Sequence, residues 1–305
     1  MLHLTSRAYL ELTGAAGILL AAVLGCWLWV TTPLRHARDA FVEGRWSLAV
    51  QEGQEYLETH PDSTLARLLV ARGYFELGRW DAAEQHFSRI KKLPSEDQER
   101  LAVALTHLNR FDAAVDLYQQ MINERPDEPQ LLQQLAAVLI PQNKFDQAIE
   151  LCNRLAEFPS HQRAAYFLMA TTCYQRADYA ASVEYFNRLL EDDPELSDRI
   201  TQRSVFWEDY GSALLKLGRL DAAKQQLERA VVLHRRPEIF DLLAQVHEAQ
   251  HDVDRAERFY LQSLAQDPSY VPALRALARL SLQRGQPERS VEFLVRALEF
   301  APNDV

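Results

Sequence analysis

The chain has 305 residues, enough to bury a large core, and a formal net charge of −10. Its 33 basic residues are dispersed rather than blocked, which argues against a nucleic-acid footprint and against strong adsorption to anionic lipid headgroups. Three cysteines, Cys26, Cys152 and Cys173, are too few and too scattered for a disulfide framework or a zinc module.

Residues 1–11 read as a short tail, and residues 12–32 as a transmembrane helix. Leu12 to Val30 carries no charged residue. At about 1.5 Å per residue a helix of this length just covers a hydrocarbon core of roughly 30 Å. Trp27 and Trp29 lie near one end, where an interfacial aromatic belt belongs, and Thr31, Thr32 and Pro33 end the run. Gly17, Ala21 and Gly25 place small residues on one stripe, where a second helix backbone could approach. Two alternatives stay open. One is a cleaved secretory signal, although the run is long and no clean small-x-small site follows it. The other is a lipoprotein signal, because Val23-Leu24-Gly25-Cys26 resembles the lipobox of bacterial lipoproteins, with Cys26 as the lipidated residue. Arg35, Arg38 and Arg45 follow the span and favour a cytoplasmic domain by strict count, whereas the signal-anchor layout favours export. The expectation leans to an exported, periplasmic domain.

From Pro33 to the end, strand signals are nearly absent and an internal period emerges. A turn residue is followed two positions later by an aromatic or leucine in most units, and then by a small residue. This recurs at Gly44, Gly78, Asn109, Asn143, Ala177, Gly218, His251 and Gly285, with most spacings at or near 34 residues. Gly and Asn tolerate the left-handed conformation that ends a first helix. Asp81, Asp112, Asp146 and Asp221 fall where a carboxylate meets the positive end of the second helix. Ala49, Ala83, Ala114, Ala148, Ser182, Ala223, Ala256 and Ser290 mark close helix crossings. Four residues on stand larger fillers, Phe87, Tyr118, Cys152, Phe186, Leu227, Tyr260 and Leu294. Pro61, Pro94, Pro126, Pro159, Pro194, Pro268 and Pro302 are read as ending second helices. Around Gly218 the signature is fullest, with Trp207, Tyr210, Gly211 and Leu214 in the first helix.

This pattern resembles the tetratricopeptide repeat (TPR) family. The resemblance implies an all-α fold. Its α-solenoid of about eight TPR helical hairpins occupies residues 33–305, in repeats near 30–63, 64–94, 95–128, 129–162, 163–196, 204–237, 237–270 and 271–304. It implies a right-handed superhelix whose concave face is lined by first helices, and a partner-binding groove there. The slots that line such a groove carry Leu65, Leu68, Leu69, Arg72 and Phe75 in the second unit. In the fifth they carry Phe167, Leu168, Thr171, Tyr174 and Gln175, and in the next two Glu208, Asp209, Glu238, Asp241 and Glu248. That composition suits an extended or helical segment with apolar anchors and a basic end. The alternative is that these residues pack between helices or form a solvated face. The Lys, Asn and Arg clamp of the chaperone-binding subclass is not present in those slots.

Three further features complete the reading. Val291, Val295, Leu298 and Phe300 continue an apolar pattern on a last helix with no successor, a candidate docking surface for a partner or a second copy. Cys152 and Cys173 are either two buried small hydrophobes or, in an oxidising compartment, a disulfide. His247-Glu248-Ala249-Gln250-His251 matches the zincin pattern, but the repeat frame puts His247 at a packing slot and His251 at a turn. No catalytic residue, metal site or cofactor is expected. The layout resembles the bacterial membrane-anchored TPR protein of lipopolysaccharide assembly control, without the cysteines of its rubredoxin-like module. The implied role is a membrane-anchored scaffold for a bacterial envelope complex, with proteins as partners, no nucleic acid and a homodimer as an option. The alternative is an adaptor delivering clients to a membrane protease or chaperone.

Overall fold

The structure is a computed structural model that describes residues 34–192 and 203–301. The tail, the apolar run with Gly17, Ala21, Gly25 and Cys26, and Pro194 and Pro302 lie outside the described residues. Among the described residues no helix is long and apolar enough to cross a membrane.

The chain divides into two compact units, Met1–Asp127 and Glu128–Val305. Unit 1 holds three helical hairpins. The first is α1 (34–42) with α2 (Trp46–Thr59), the second α3 (Thr64–Glu76) with α4 (Trp80–Phe87), and the third α5 (Ser95–His107) with α6 (Phe111–Glu124). Unit 2 holds five. They are α7 (Pro129–Leu139) with α8 (Phe145–Ala156), α9 (Gln162–Gln175) with α10 (Tyr179–Asp192), α11 (Ser204–Lys216) with α12 (Leu220–Leu233), α13 (Pro237–Ala249) with α14 (Val253–Gln266), and α15 (Val271–Gln283) with α16 (Pro287–Phe300). Within each unit every helix packs on its hairpin partner and on the next hairpin.

The turn grammar explains the hairpins. All eight anticipated turn residues have positive φ, between 57° at Asn109 and 75° at Gly44, and no other described residue does. At each, two backbone bonds close a Schellman turn: Gly78 donates to the Phe75 carbonyl at 2.9 Å and Arg79 to the Tyr74 carbonyl at 2.9 Å. The bonds repeat at His251, which donates to Glu248 at 2.9 Å while Asp252 donates to His247 at 2.8 Å. In unit 2, Ile140–Gln142 adds one 3-10 turn to α7, and the chain still reverses at Asn143. The second-helix carboxylates Asp81, Asp112, Asp146 and Asp221 all fall in first turns.

The small slots are closed. Seven of them, Ala49, Ala83, Ala114, Ala148, Ser182, Ala223 and Ala256, are fully buried, and Ser290 is 5 % exposed. Ser182 also donates its hydroxyl to the Ala170 carbonyl at 2.8 Å. Unit 1 tightens its first crossing with glycine. A Cβ on Gly53 would meet Val70 Cγ2 at 2.6 Å, and one on Gly73 would meet Val50 Cγ2 at 2.6 Å, so α2 and α3 interlock reciprocally. In unit 2 the densest packing is aromatic. Phe186 meets Phe206 edge-on at 5.2 Å and stacks on Tyr210 at 5.2 Å, and Phe206 meets Trp207 at 4.7 Å.

Two expectations need correction. The helix before Pro94 stops at Phe87, well short of the proline, because this repeat is only 31 residues from turn to turn and the shortfall is taken from α4. Ile90 then folds back into the core at 9 % exposure. Leu294, read as a filler, is 45 % exposed, whereas its equivalents Phe87, Phe186 and Leu227 are fully buried. Those three are covered by the first helix of a following hairpin, which α16 lacks among the described residues.

Candidate interaction face

First helices lie beside one another as well as against their own partners: α3 contacts α5 in unit 1, and α9 contacts α11 and α11 contacts α13 in unit 2. Their free sides form the surfaces on which partner-binding residues were expected.

In unit 1 the expected trio separates. Leu65 is 70 % exposed at the start of α3, but Leu68 belongs to the core with Ala71, Ala83, Phe87 and Ile90. Phe75 is partly buried against that core and edge-on to Trp80 at 5.2 Å. Leu68 is therefore structural, and the three do not make one apolar strip. The polar feature of this face is a carboxylate that sequence reasoning passed over. Asp97 is fully buried and accepts from Arg72 Nε at 2.8 Å and a second guanidinium nitrogen at 2.6 Å, and from Arg100 at 3.1 Å. Arg72 had been placed on the free face; the 25 residues between it and Asp97 hid the pairing.

In unit 2 the expected residues converge. Phe167 and Tyr174 of α9 are partly buried against the aromatic core, with Phe167 stacked 6.4 Å from Phe206. The Tyr174 hydroxyl is 2.7 Å from the Ser212 hydroxyl of α11, which ties the two first helices together. One turn back on α11 lie Glu208 and Asp209. Glu208 pairs with Arg236, whose Nε is also 3.9 Å from Glu238. Asp241 on α13 is 7 % exposed and accepts from the Gln245 amide at 2.7 Å. Tyr270, just ahead of α15, is close enough that Asp241, Glu238 and Glu208 all act on its phenol. Burial, reinforced by Glu208, pushes the Asp209 carboxyl up to about 7. Burial, reinforced by Glu248 and Glu238 against the Gln245 bond, pushes Asp241 up to about 6.

The remaining predicted residues sit as follows. Glu248 is held by Arg279 through two bonds of 2.7 Å and by the Tyr260 hydroxyl at 2.7 Å, a structural node between α13, α14 and α15. His247 is 1 % exposed and stacks on Phe259 at 5.2 Å. His251 is the left-handed turn residue beyond the end of α13, so the two imidazoles do not share a continuing helix face. Among the described residues no group of His, Cys, Asp and Glu is arranged to hold a metal. Cys152 and Cys173 are buried free thiols, not a disulfide, and burial pushes Cys152 up to about 12. Val291, Val295, Leu298 and Phe300 are 58 %, 50 %, 42 % and 52 % exposed on α16.

Models described as tetratricopeptide repeat match residues 34–97, 105–158, 164–195, 206–233 and 248–305. The chain belongs to the TPR family. No curated protein sequence matches it. Among solved structures it is similar to a TPR protein from Parabacteroides merdae, at TM-score 0.62 and 15% identity over 86% of this chain and 98% of that one. It is also similar to part of a TPR protein from Cytophaga hutchinsonii, at TM-score 0.57 and 18% identity over 79% and 98%. A third likeness is to the APC/C hetero-tetramer Cut9–Hcn1, at TM-score 0.60 and 14% identity over 91% of this chain and 54% of that one. At these identities the likeness is one of fold. A TPR array is a protein–protein interaction scaffold, and that coarse role holds for this chain.

Proposed function

We propose that this TPR protein is an assembly scaffold, anchored through residues 12–32 in a bacterial inner membrane, and that the first-helix face of unit 2 binds a segment of a partner protein. The membrane part of the reading rests on the uncharged run from Leu12 to Val30. Anchoring would confine the scaffold to two dimensions and raise its effective concentration near membrane-bound partners. The domain is placed on the periplasmic side, and the complexes that fit are envelope assemblies such as secretion, polysaccharide export, pilus or cytochrome-maturation machines.

The observation that carries the binding reading is the run from Phe167 and Tyr174 across Ser212 to Asp209 and Asp241, where aromatic surface passes into carboxyl groups on three adjacent first helices. Such a face provides apolar anchor sites beside a negative end, the complement of an extended or helical segment with apolar and basic residues. Gentle-detergent purification of the tagged full chain, followed by mass spectrometry, tests it against an Asp209→Lys variant that keeps its helical circular dichroism. A reproducible set of envelope proteins that the variant loses is the expected result. Partners that are retained equally by the variant would remove the unit 2 face from the proposal. Recovery of a protease or chaperone with varied clients would favour the adaptor role, and a chain washed off membranes by carbonate would refute the anchor.

A further inference from the structure

Below the surface, carboxylates elsewhere in the chain are matched. Asp97 has Arg72 and Arg100, Glu248 has Arg279 and Tyr260, and Glu208 has Arg236. Asp241 breaks the pattern. More than nine-tenths of it is buried, yet its hydrogen-bond partner is a neutral amide on its own helix, and the charges acting on it, Glu248 and Glu238, are both negative. Asp209 lies beside Glu208, and the one cation acting on it, Arg236, is already engaged by Glu208. A buried carboxylate without a cation is costly, so such a group either takes up a proton or waits for a positive partner.

We propose that this face exchanges protons for a basic side chain: a lysine or arginine of the docked segment pairs with Asp209 and Asp241, and their protons pass to solvent. The proposal rests on the segment-binding reading above and specifies its partner's chemistry and its pH dependence.

The surrounding groups determine the direction. From α9, Tyr174 faces Asp209; from α11, Glu208 does; and ahead of α13 comes Arg236. Around Asp241 stand Glu238 and Glu248 of α13, Tyr260 of α14 and Tyr270 ahead of α15, with Arg279 of α15 held by Glu248. The phenols here are all displaced upward, chiefly by burial, so they remain neutral and neither compete for the cation nor repel it. With Asp209 at about 7 and Asp241 at about 6, both carboxyls are partly or largely protonated in mildly acidic solution. An ammonium or guanidinium a hydrogen bond away favours their charged forms and lowers both pKa values. Linkage then requires that the segment bind more tightly as pH rises through this range, with proton release. Phe167 and Tyr174 supply the apolar contacts that are indifferent to pH.

The test is titration calorimetry on the full chain in mild detergent. The probes are a hexapeptide alternating leucine with arginine, and the same peptide with glutamine for arginine. Binding is measured from about pH 5.5 to about pH 7.5 in phosphate and in Tris, whose ionisation heats differ. For the arginine peptide we expect net proton release near pH 6.5 and an affinity rising about tenfold or more across the range. The glutamine peptide should show neither. In the Asp209→Asn, Asp241→Asn double variant the release should vanish; if that protein does not fold, either single variant should reduce it. Arginine-peptide binding with no proton release and no pH dependence overturns the exchange and leaves the segment-binding reading standing. Failure of both peptides at every pH overturns both.

Discussion

Gly211→Ala provides a sharp test of the packing in unit 2. Gly211 sits in α11, and a Cβ there would lie 2.6 Å from Leu227 Cγ, 2.8 Å from Leu227 Cδ2 and 3.3 Å from the Ala223 carbonyl. The obstacle is a branched carbon of a fully buried leucine, wedged among Phe206, Trp207 and Leu243, so it cannot swing aside as a flexible chain end would. Overpacking of this kind costs about 1–3 kcal/mol, while replacing a mid-helix glycine with alanine returns about 0.8–1.0 kcal/mol of helix propensity. The expected net is a loss of about 1–2 kcal/mol. Urea unfolding followed by far-UV circular dichroism should show the midpoint falling by about 0.5–1 M, for an m-value near 2 kcal/mol/M. Leu227→Ala alone should cost about 2–5 kcal/mol, but less in the Gly211→Ala background, where the new methyl fills part of the cavity. Gly218→Ala is the control, since nothing lies within 4 Å of its added Cβ and only its φ of +72° resists substitution. A neutral or stabilising Gly211→Ala, or strictly additive costs with Leu227→Ala, would refute the argument.

Ala177 and His251 hold left-handed turns at φ 64° that glycine occupies without steric cost, so Ala177→Gly and His251→Gly should each raise stability, by about 1 kcal/mol in chemical denaturation. The pKa of His247 is lowered by burial, with Lys224 adding to the effect, so the folded state binds fewer protons than the unfolded chain. Its contribution is therefore present above the ordinary imidazole value of 6.5 and is lost as pH falls through and below it; His247→Phe should flatten that limb of a stability–pH profile. Asp209 and Asp241 have the opposite sign: their contributions are present below the ordinary carboxyl value of 3.8 and are lost as pH rises through about 6 to 7. Asp209→Asn should therefore melt above the parent protein at about pH 8. Native Cys152 and Cys173, buried and shifted upward, should react with a thiol reagent only after denaturant is added. Val295→Glu on the uncovered side of α16 should change stability by no more than about 0.5 kcal/mol, whereas Phe186→Ala at a covered slot should cost about 3–5 kcal/mol.

What could be read from the sequence follows the range over which each constraint acts. The eight turn residues were legible because a left-handed backbone selects residues locally, and even Ala177 and His251 were located by period rather than by type. The small slots were legible because one close crossing recurs in every hairpin. What was missed needs a second element. Leu68 and Leu65 look alike on α3, and only the return of Ile90, which follows from the short α4, buries the first and leaves the second open. Asp97 gave no local sign of being the buried anchor for Arg72 and Arg100. Nor did the first-turn aspartates show their second use: Asp146 receives Arg176 at 3.2 Å, and Asp221 receives Gln250 at 3.0 Å, each from the following hairpin. These ties are largely exposed and contribute little energy, but they align one turn with the next.

The same range argument bears on where function can reside in such a fold. In an array held by nearest-neighbour contacts, an unfavourable group lowers the stability of its own hairpin and the adjoining interfaces, and hairpins further away are unaffected. Asp209 and Asp241 sit on α11 and α13, beside the densest aromatic packing in unit 2. Phe186, Phe206, Trp207 and Tyr210 bury large areas there, and the Tyr174–Ser212 bond joins α9 to α11 at the edge of the carboxyl groups. A carboxyl cluster placed against a thin or frayed hairpin would unfold it at neutral pH. Placed here, its cost is offset locally, and the two groups can stay in position, awaiting a positive charge. On this reasoning the aromatic cluster and the carboxyls form one device, and weakening the cluster, for example with Phe206→Leu, should loosen peptide binding at the carboxyls before it melts the rest of the array.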